Sequence, residues 1–412
     1  MYSKKMLGKC YNLIKNNRDI IKHTNLEYNK MLSEQYKANI FFKREDQQIV
    51  RSFKIRGSFN KIYNNKDNYD TIITASAGNH AQGVAYVSNI LNKDCKIFLP
   101  VTTPKQKIDR IKHFGKNNLE LIILGNDVDE SLIEAKKYSN ERNGLYVHPF
   151  NDIDVIYGQS TIMNEIYEDI DTVDYVLGCI GGGGMVSGIN IYRNVYNKKF
   201  KLICGEPENA NSMFLSLKNN KITSVSNLDT FVDGAAVRKI GNINFELCKD
   251  IDDIHIINKN ELCHNLVNIY QNEGIVLEPA GILGLSCLNK IKENIEGKNI
   301  VIILSGGNND ILRYNEILER SLLHKGIKHY FIIYFNQTQG ELKRFVNNII
   351  LKDIDITRFE YIKKNNKDKE CVLLGIELNN YNQYNKFIKK LYHLNYNFEI
   401  IDQDTLFYKY LI

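Results

Sequence analysis

The sequence predicts an α/β protein: parallel sheets with helices on both faces, followed by a smaller ferredoxin-like domain. Three observations carry this. Short β-rich runs alternate with helical ones over most of the 412 residues, the pattern of repeated strand–helix units. Glycine or small residues follow several of those runs, where such sheets bind ligands. The last stretch changes to a β-α-β-β-α-β order, the split ferredoxin-like plan.

Taken in order, Ile40–Lys43 reads as a strand followed by a helix from about Ser52 to Tyr63, and Thr71–Thr74 as a strand before a helix over His80–Leu91. Cys95–Pro100 precedes a helix over Pro104–Phe114, and Leu119–Leu124 precedes one over Asp127–Glu141. Strands recur at Tyr175–Ile180, Lys201–Gly205 and Ile300–Leu304. In the tail, Lys328–Phe335, Thr357–Lys363 and Cys371–Leu378 read as strands, with helices over Gly340–Ile350 and Tyr381–Leu394 and a closing strand. This places a domain boundary near Lys325-Gly326, giving a first domain of two α/β subdomains over 1–325 and a second over 326–412.

Composition narrows the function class. Hydrophobic content of 43% with 25% charged residues is that of a soluble globular chain. The net charge of +6 is spread without basic blocks, so nothing points to nucleic acid or membrane. The apolar runs are strand-length, and the start lacks the apolar core of a secretory signal. Eight cysteines without a Cys-x-x-Cys pair read as reduced core thiols in a cytoplasmic protein.

Chemistry concentrates at four places. Lys54 lies between apolar Phe53 and Ile55 at a helix start. Burial there disfavours the ammonium, and Arg51 and Arg56 would add to this if close, leaving a nucleophile able to form a Schiff base. Taken alone, residues 51–57 also suit an ordinary amphipathic helix start. Gly181-Gly182-Gly183-Gly184 ends a strand and opens a helix, a place for a phosphate on free N–H groups. A dinucleotide site is the rival, given Glu206 after the next strand, but Ser187 breaks the G-x-G-x-x-G register and no Gly-Lys-Ser/Thr follows. Ser76-Ala77-Gly78-Asn79-His80 suits a carboxylate, with His80 itself read as helix packing. Ser305-Gly306-Gly307-Asn308 repeats the geometry, so the loops are expected to meet at one edge of the sheet.

Together with Ser52–Gly57, Ser76–Gly83, Glu206-Pro207 and Glu278-Pro279-Ala280-Gly281, these residues resemble the threonine dehydratases of the tryptophan-synthase-β-like, pyridoxal-phosphate fold. Phe231–Val237 narrows the resemblance to the threonine-deaminating branch, and the tail resembles the single ACT-like regulatory domain of the biosynthetic enzymes. The resemblance implies that Lys54 carries the cofactor's Schiff base. It also implies that Gly181, Gly182, Gly183, Gly184 and Met185 hold the phosphate, that Asn79 meets the ring hydroxyl and Ser305 the ring nitrogen, and that Phe53 packs on the ring. Ser76, Ala77, Gly78 and Asn79 would hold the carboxylate of L-threonine, which becomes 2-oxobutanoate and ammonia at the head of isoleucine synthesis. Isoleucine is the implied effector, near Arg358, Phe359, Glu360 and Tyr361, and the implied assembly is a homotetramer. An L-serine or 3-hydroxyaspartate dehydratase, or a racemase of the same fold, is the alternative. Ser58, Asn25 and Ser212 depart from the family pattern, where alanine, proline and a cation-binding position are common. No metal is expected.

Overall fold

In a computed structural model, residues 2–350, 352–362, 369–402, 405, 407, 408 and 411 are described. The chain divides into two compact units, Met1–Asp310 and Ile311–Ile412. The helix Tyr314–His324 goes with the second unit, so this division falls before that helix, not at Lys325-Gly326.

The first unit holds two sheets, in line with the expected parallel sheets. β1 (Leu26–Tyr28), β2 (Asn39–Arg44), β7 (Tyr175–Cys179), β8 (Lys201–Pro207), β9 (Asp253–Ile257) and β10 (Asn299–Leu304) form a six-stranded sheet in the order β1-β2-β10-β7-β8-β9. All its pairings are parallel except that of edge strand β1 with β2. β3 (Thr71–Ala75), β4 (Asp94–Leu99), β5 (Leu119–Ile123) and β6 (Leu145–Tyr146) form a four-stranded parallel sheet in the order β5-β4-β3-β6. β10 and β7 are almost wholly buried apolar runs, as expected for strands covered on both faces.

Helices Lys54–Asn65 and Ile153–Asp169 pack with their backbones close together. A Cβ at Gly158 would lie 2.5 Å from the Arg56 carbonyl oxygen, and one at Gly57 would lie 2.7 Å from that of Val155. This close approach encloses a buried ionic cluster. Arg56 donates to Glu45 (2.7 and 2.8 Å) and to Glu165 (2.7 and 2.8 Å). Lys43 meets Glu165 at 2.8 Å and donates to the Thr24 carbonyl, while the Thr24 hydroxyl donates to Glu45 at 2.6 Å. Arg56, Glu45, Glu165 and Lys43 are all fully buried. Thr24, next to Asn25, is therefore held from both ends.

The second unit is a four-stranded antiparallel sheet, β12 (Ile354–Tyr361), β13 (Lys369–Leu378), β11 (Lys328–Asn336) and β14 (Asn397–Ile400) in that order. With helices Glu341–Asn348 and Tyr381–His393 it shows the β-α-β-β-α-β order. Its own core gathers Phe331, Phe335, Phe345, Leu374 and Phe387. Lys363, placed in a strand by the sequence, lies outside the described residues. Seven cysteines are buried, and Cys371 is exposed. Among the described residues no helix is long and apolar enough to cross a membrane.

Candidate active site

Lys54 is the first residue of its helix, and its Nζ donates to the Pro149 carbonyl at 2.8 Å. The buried Phe53 ring sits beside the ammonium, its centroid 5.4 Å from Nζ. Burial brings the amine down to about 8, against the opposing pull of Cys179 and Glu278. Arg56 takes no part in this, contrary to the sequence expectation, because it is turned into Glu45 and Glu165. Arg51 is exposed, in a left-handed backbone conformation. Desolvation alone accounts for the direction.

Two imidazoles near Lys54 stay neutral. Burial first, and then the Lys54 charge, hold His80 and His148 down to about 3. His80 Nε2–H donates to the Val147 carbonyl at 3.0 Å, which fits its reading as a packing residue. His148 Nδ1 accepts from the N–H groups of Phe150 and Asn151, which forms a turn directly after Pro149.

That turn reaches the glycine loop. Helix Gly184–Val195 starts behind Gly183, whose φ of 85° is left-handed, and no side chain caps its first N–H groups. A Cβ at Gly182 would lie 2.2 Å from the Phe150 ring, and one at Gly181 would lie 2.8 Å from Ala235 Cα. The loop is thus clamped between Phe150 and the Phe231–Val237 segment. Met185 is buried one residue inside the helix. Glu206 serves a different helix: both its oxygens accept N–H bonds at 2.8 Å, from Met213 and Phe214, and burial raises its carboxyl to about 8. Those bonds occupy the carboxylate that the dinucleotide reading needed.

Ser305 is buried at the end of β10, 3.3 Å from the Cys179 thiol, and its backbone carbonyl accepts from Phe53 N–H at 3.2 Å. The loops therefore come from both sheets and not from one edge. Ser76–Asn79 follows β3 of the small sheet, while Gly181–Gly184 and Ser305–Asn308 follow β7 and β10 of the large one. Gly78 leads into helix Asn79–Ile90 without a side-chain cap, and its N–H is within 3.2 Å of Ser76 Oγ. Asn79 bridges the sheets: its Nδ2 donates to Glu278 at 2.5 Å and its Oδ1 accepts from Asn308 Nδ2 at 2.7 Å. Burial, then Asp233, push Glu278 up to about 7.

Glu278, Asn308, Cys179, His148 and the Pro149–Phe150 turn received no role from sequence. Glu278 and Asn308 lay inside quoted motifs, but nothing in the residue types said which neighbours they touch. The Pro149–Phe150 turn carries no composition signal. In the second unit, Phe359 and Tyr361 pack against the unit's own core, while Arg358 pairs with Glu360 and donates to the Leu411 carbonyl at 3.1 Å.

The arrangement fits pyridoxal phosphate. It offers an amine of lowered basicity, an uncapped helix start behind glycines, a fixed amide and a buried uncharged hydroxyl, groups of the kinds its aldehyde, phosphate and ring call for. If Lys54 is the amine that captures the cofactor, capture requires its neutral form. Cofactor-free protein is therefore expected to take up pyridoxal phosphate roughly tenfold more slowly for each pH unit below the lysine's value and to level off above it. Stopped-flow absorbance between pH 6 and about 9 reads this. A rate flat across that range overturns it.

Comparisons with known proteins give the family. Residues 18–306 match the pyridoxal-phosphate dependent enzyme family, and residues 319–411 match the C-terminal regulatory domain of threonine dehydratase. A biosynthetic L-threonine dehydratase of Halalkalibacterium halodurans is 44% identical over 399 residues, covering 96% of both chains. One from Staphylococcus epidermidis is 41% identical over 418 residues, covering 100% of this chain and 98% of its own. Among solved structures, the processed form of threonine deaminase isoform 2 from Solanum lycopersicum is 33% identical with a TM-score of 0.71, covering 77% of this chain and 94% of its own. Serine racemase from Dictyostelium discoideum is 25% identical with a TM-score of 0.68, covering 75% of this chain and 99% of its own. This chain belongs to the pyridoxal-phosphate-dependent enzymes and, within them, to the biosynthetic threonine dehydratase family.

Proposed function

We propose that the protein converts L-threonine to 2-oxobutanoate and ammonia in the cytoplasm, as the entry step of isoleucine synthesis. One observation carries the reading at the site. The Pro149–Phe150 turn holds the Lys54 amine with its carbonyl and the glycine loop with its ring, joining a nucleophile to a phosphate cradle. In the assigned roles, Gly181, Gly182, Gly183, Gly184 and Met185 hold the cofactor phosphate, Asn79 its ring hydroxyl and Ser305 its ring nitrogen, with Phe53 against the ring.

Bound pyridoxal phosphate supplies an electron sink for negative charge developing at the substrate Cα. The chain's own residues do the rest. Lys54, half neutral near pH 8, serves as the base that takes the Cα proton. Ser76, Ala77, Gly78 and Asn79 present the start of a helix to the substrate carboxylate. Ser305 offers a hydroxyl in place of a carboxylate, so no fixed anion keeps a proton on the ring nitrogen, which favours loss of the β-hydroxyl over transamination. Phe53, Phe150 and Ala235 exclude water around the amine and the loop.

Steady-state turnover of L-threonine against L-serine tests the substrate. The expected result is a higher kcat/KM for L-threonine. A higher value for L-serine, or racemisation of it, selects the serine-type chemistry of the same fold. The second unit is proposed to bind isoleucine near Arg358, Phe359, Glu360 and Tyr361 and to lower activity, in a homotetramer. Effector control requires different isoleucine affinity in two states. Isoleucine is therefore expected to raise the apparent KM for threonine, and unchanged KM and kcat at saturating isoleucine defeat that part.

A further inference from the structure

The contacts around Asn79 decide which way its amide faces. The Val50 carbonyl can only accept, so the Asn308 group bonded to it at 2.8 Å is the NH2. The same Nδ2 donates to Asn79 at 2.7 Å, so the Asn79 atom there is the oxygen. The Asn79 NH2 then faces Glu278, which accepts at 2.5 Å. One backbone carbonyl, four residues before Lys54 in the large-sheet region, thereby orients an amide carried by the small sheet.

The surroundings are rigid enough to keep this order. Ser52 bridges Gly306, Gly307 N–H donates to the Arg51 carbonyl at 3.0 Å, and Glu278 N–H donates to the Gly306 carbonyl at 3.1 Å. A Cβ at Gly306 would lie 2.2 Å from Glu278 Oε1, so only glycine lets the carboxyl reach this position. Glu278 is 5% exposed. Protonated or ionised, a carboxyl keeps an oxygen that accepts from Asn79, so the orientation does not depend on its charge.

We propose that Val50, Asn308 and Glu278 form an orienting chain that fixes the Asn79 amide as a donor, never an acceptor, toward the ring oxygen of pyridoxal phosphate. Asn308 and Glu278 are thus positioning residues. One Asn79 N–H is spent on Glu278 and the oxygen on Asn308, which leaves the second N–H for the cofactor. This rests on the proposed contact between Asn79 and the ring hydroxyl.

The test is equilibrium dialysis of cofactor-free protein against pyridoxal phosphate, with the absorption band of the bound form recorded alongside. In Asn308→Asp the carboxylate can donate to neither Val50 nor Asn79, and the Asn79 amide turns over to meet it. The expected Kd rises by about tenfold or more, with a shifted band. In an Asn79→Ala background the same change is expected to add less than about twofold, because the group it orients is gone. Glu278→Gln, which keeps an acceptor, is expected to bind more tightly than Glu278→Leu. An equal loss from Asn308→Asp with and without Asn79 overturns the proposal, since it marks a purely structural effect on the loop. So does an Asn79→Ala variant with unchanged Kd. A wild-type enzyme that prefers L-serine removes the substrate reading and leaves this cycle standing, because dialysis involves no substrate.

Discussion

Lys54→Ala is expected to lower threonine turnover by at least about a thousandfold, the upper range for losing a positioned acid–base group. In the proposed roles the same side chain is both the cofactor's covalent anchor and the base, so no neighbour replaces it. His80 and His148 are held neutral and are committed to backbone partners. The variant is also expected to lose the yellow, borohydride-reducible chromophore while folding normally, since the truncated group makes one hydrogen bond, to Pro149. A variant that keeps a tenth of the wild-type rate, or a chromophore that borohydride still fixes, would remove Lys54 from both roles.

Glu165→Ala is expected to cost about 3–5 kcal/mol of stability in urea unfolding, the penalty for leaving buried cations with too few partners. Removing Glu165 leaves Arg56 and Lys43, both fully buried, with Glu45 as their remaining carboxylate. Burial alone would raise the Glu165 carboxyl, but Arg56 and then Lys43 hold it well below the usual carboxylate range. The sign follows from that depression. The contribution is fully present above the unfolded-state value of about 4.3 and is lost as pH falls through the lower folded value. A loss under about 1 kcal/mol would mean that the cluster relaxes or hydrates freely.

Most strand and helix positions were legible because the period of apolar residues changes cleanly between units. Helix Lys54–Asn65, strand Lys201–Pro207 and strand Lys328–Asn336 all lie within a few residues of their sequence-based bounds. Which strand joins which sheet was not legible. β2 pairs with β10 across some 260 residues of sequence, and a local strand–helix pattern carries no information about such partners. The lysine and the three loops were legible as chemistry because small residues at strand ends have few other uses. Their electrostatics were less so. The expectation that Arg56 acts on Lys54 failed because buried Glu45 and Glu165 claim the guanidinium, and those acids are 11 and 109 residues away in sequence. Glu278 and Asn308 were visible as letters, but their partners depend on how the sheets face each other.

The placement of the loops on two sheets has a thermodynamic consequence. The proposed substrate-carboxylate loop rides on β3, while the proposed phosphate and ring-nitrogen loops ride on β7 and β10, so in these roles the cofactor and the amino acid are gripped from two sheets that are joined by a shared apolar core and, at the site, by Asn79, Asn308 and Glu278. If the separation of those sheets varies, each ligand that favours the closed arrangement strengthens the other by the same factor, whichever binds first. A slow substrate analogue would then act as a cofactor-retention agent, and loss of cofactor during storage would be a symptom of sheets drifting apart.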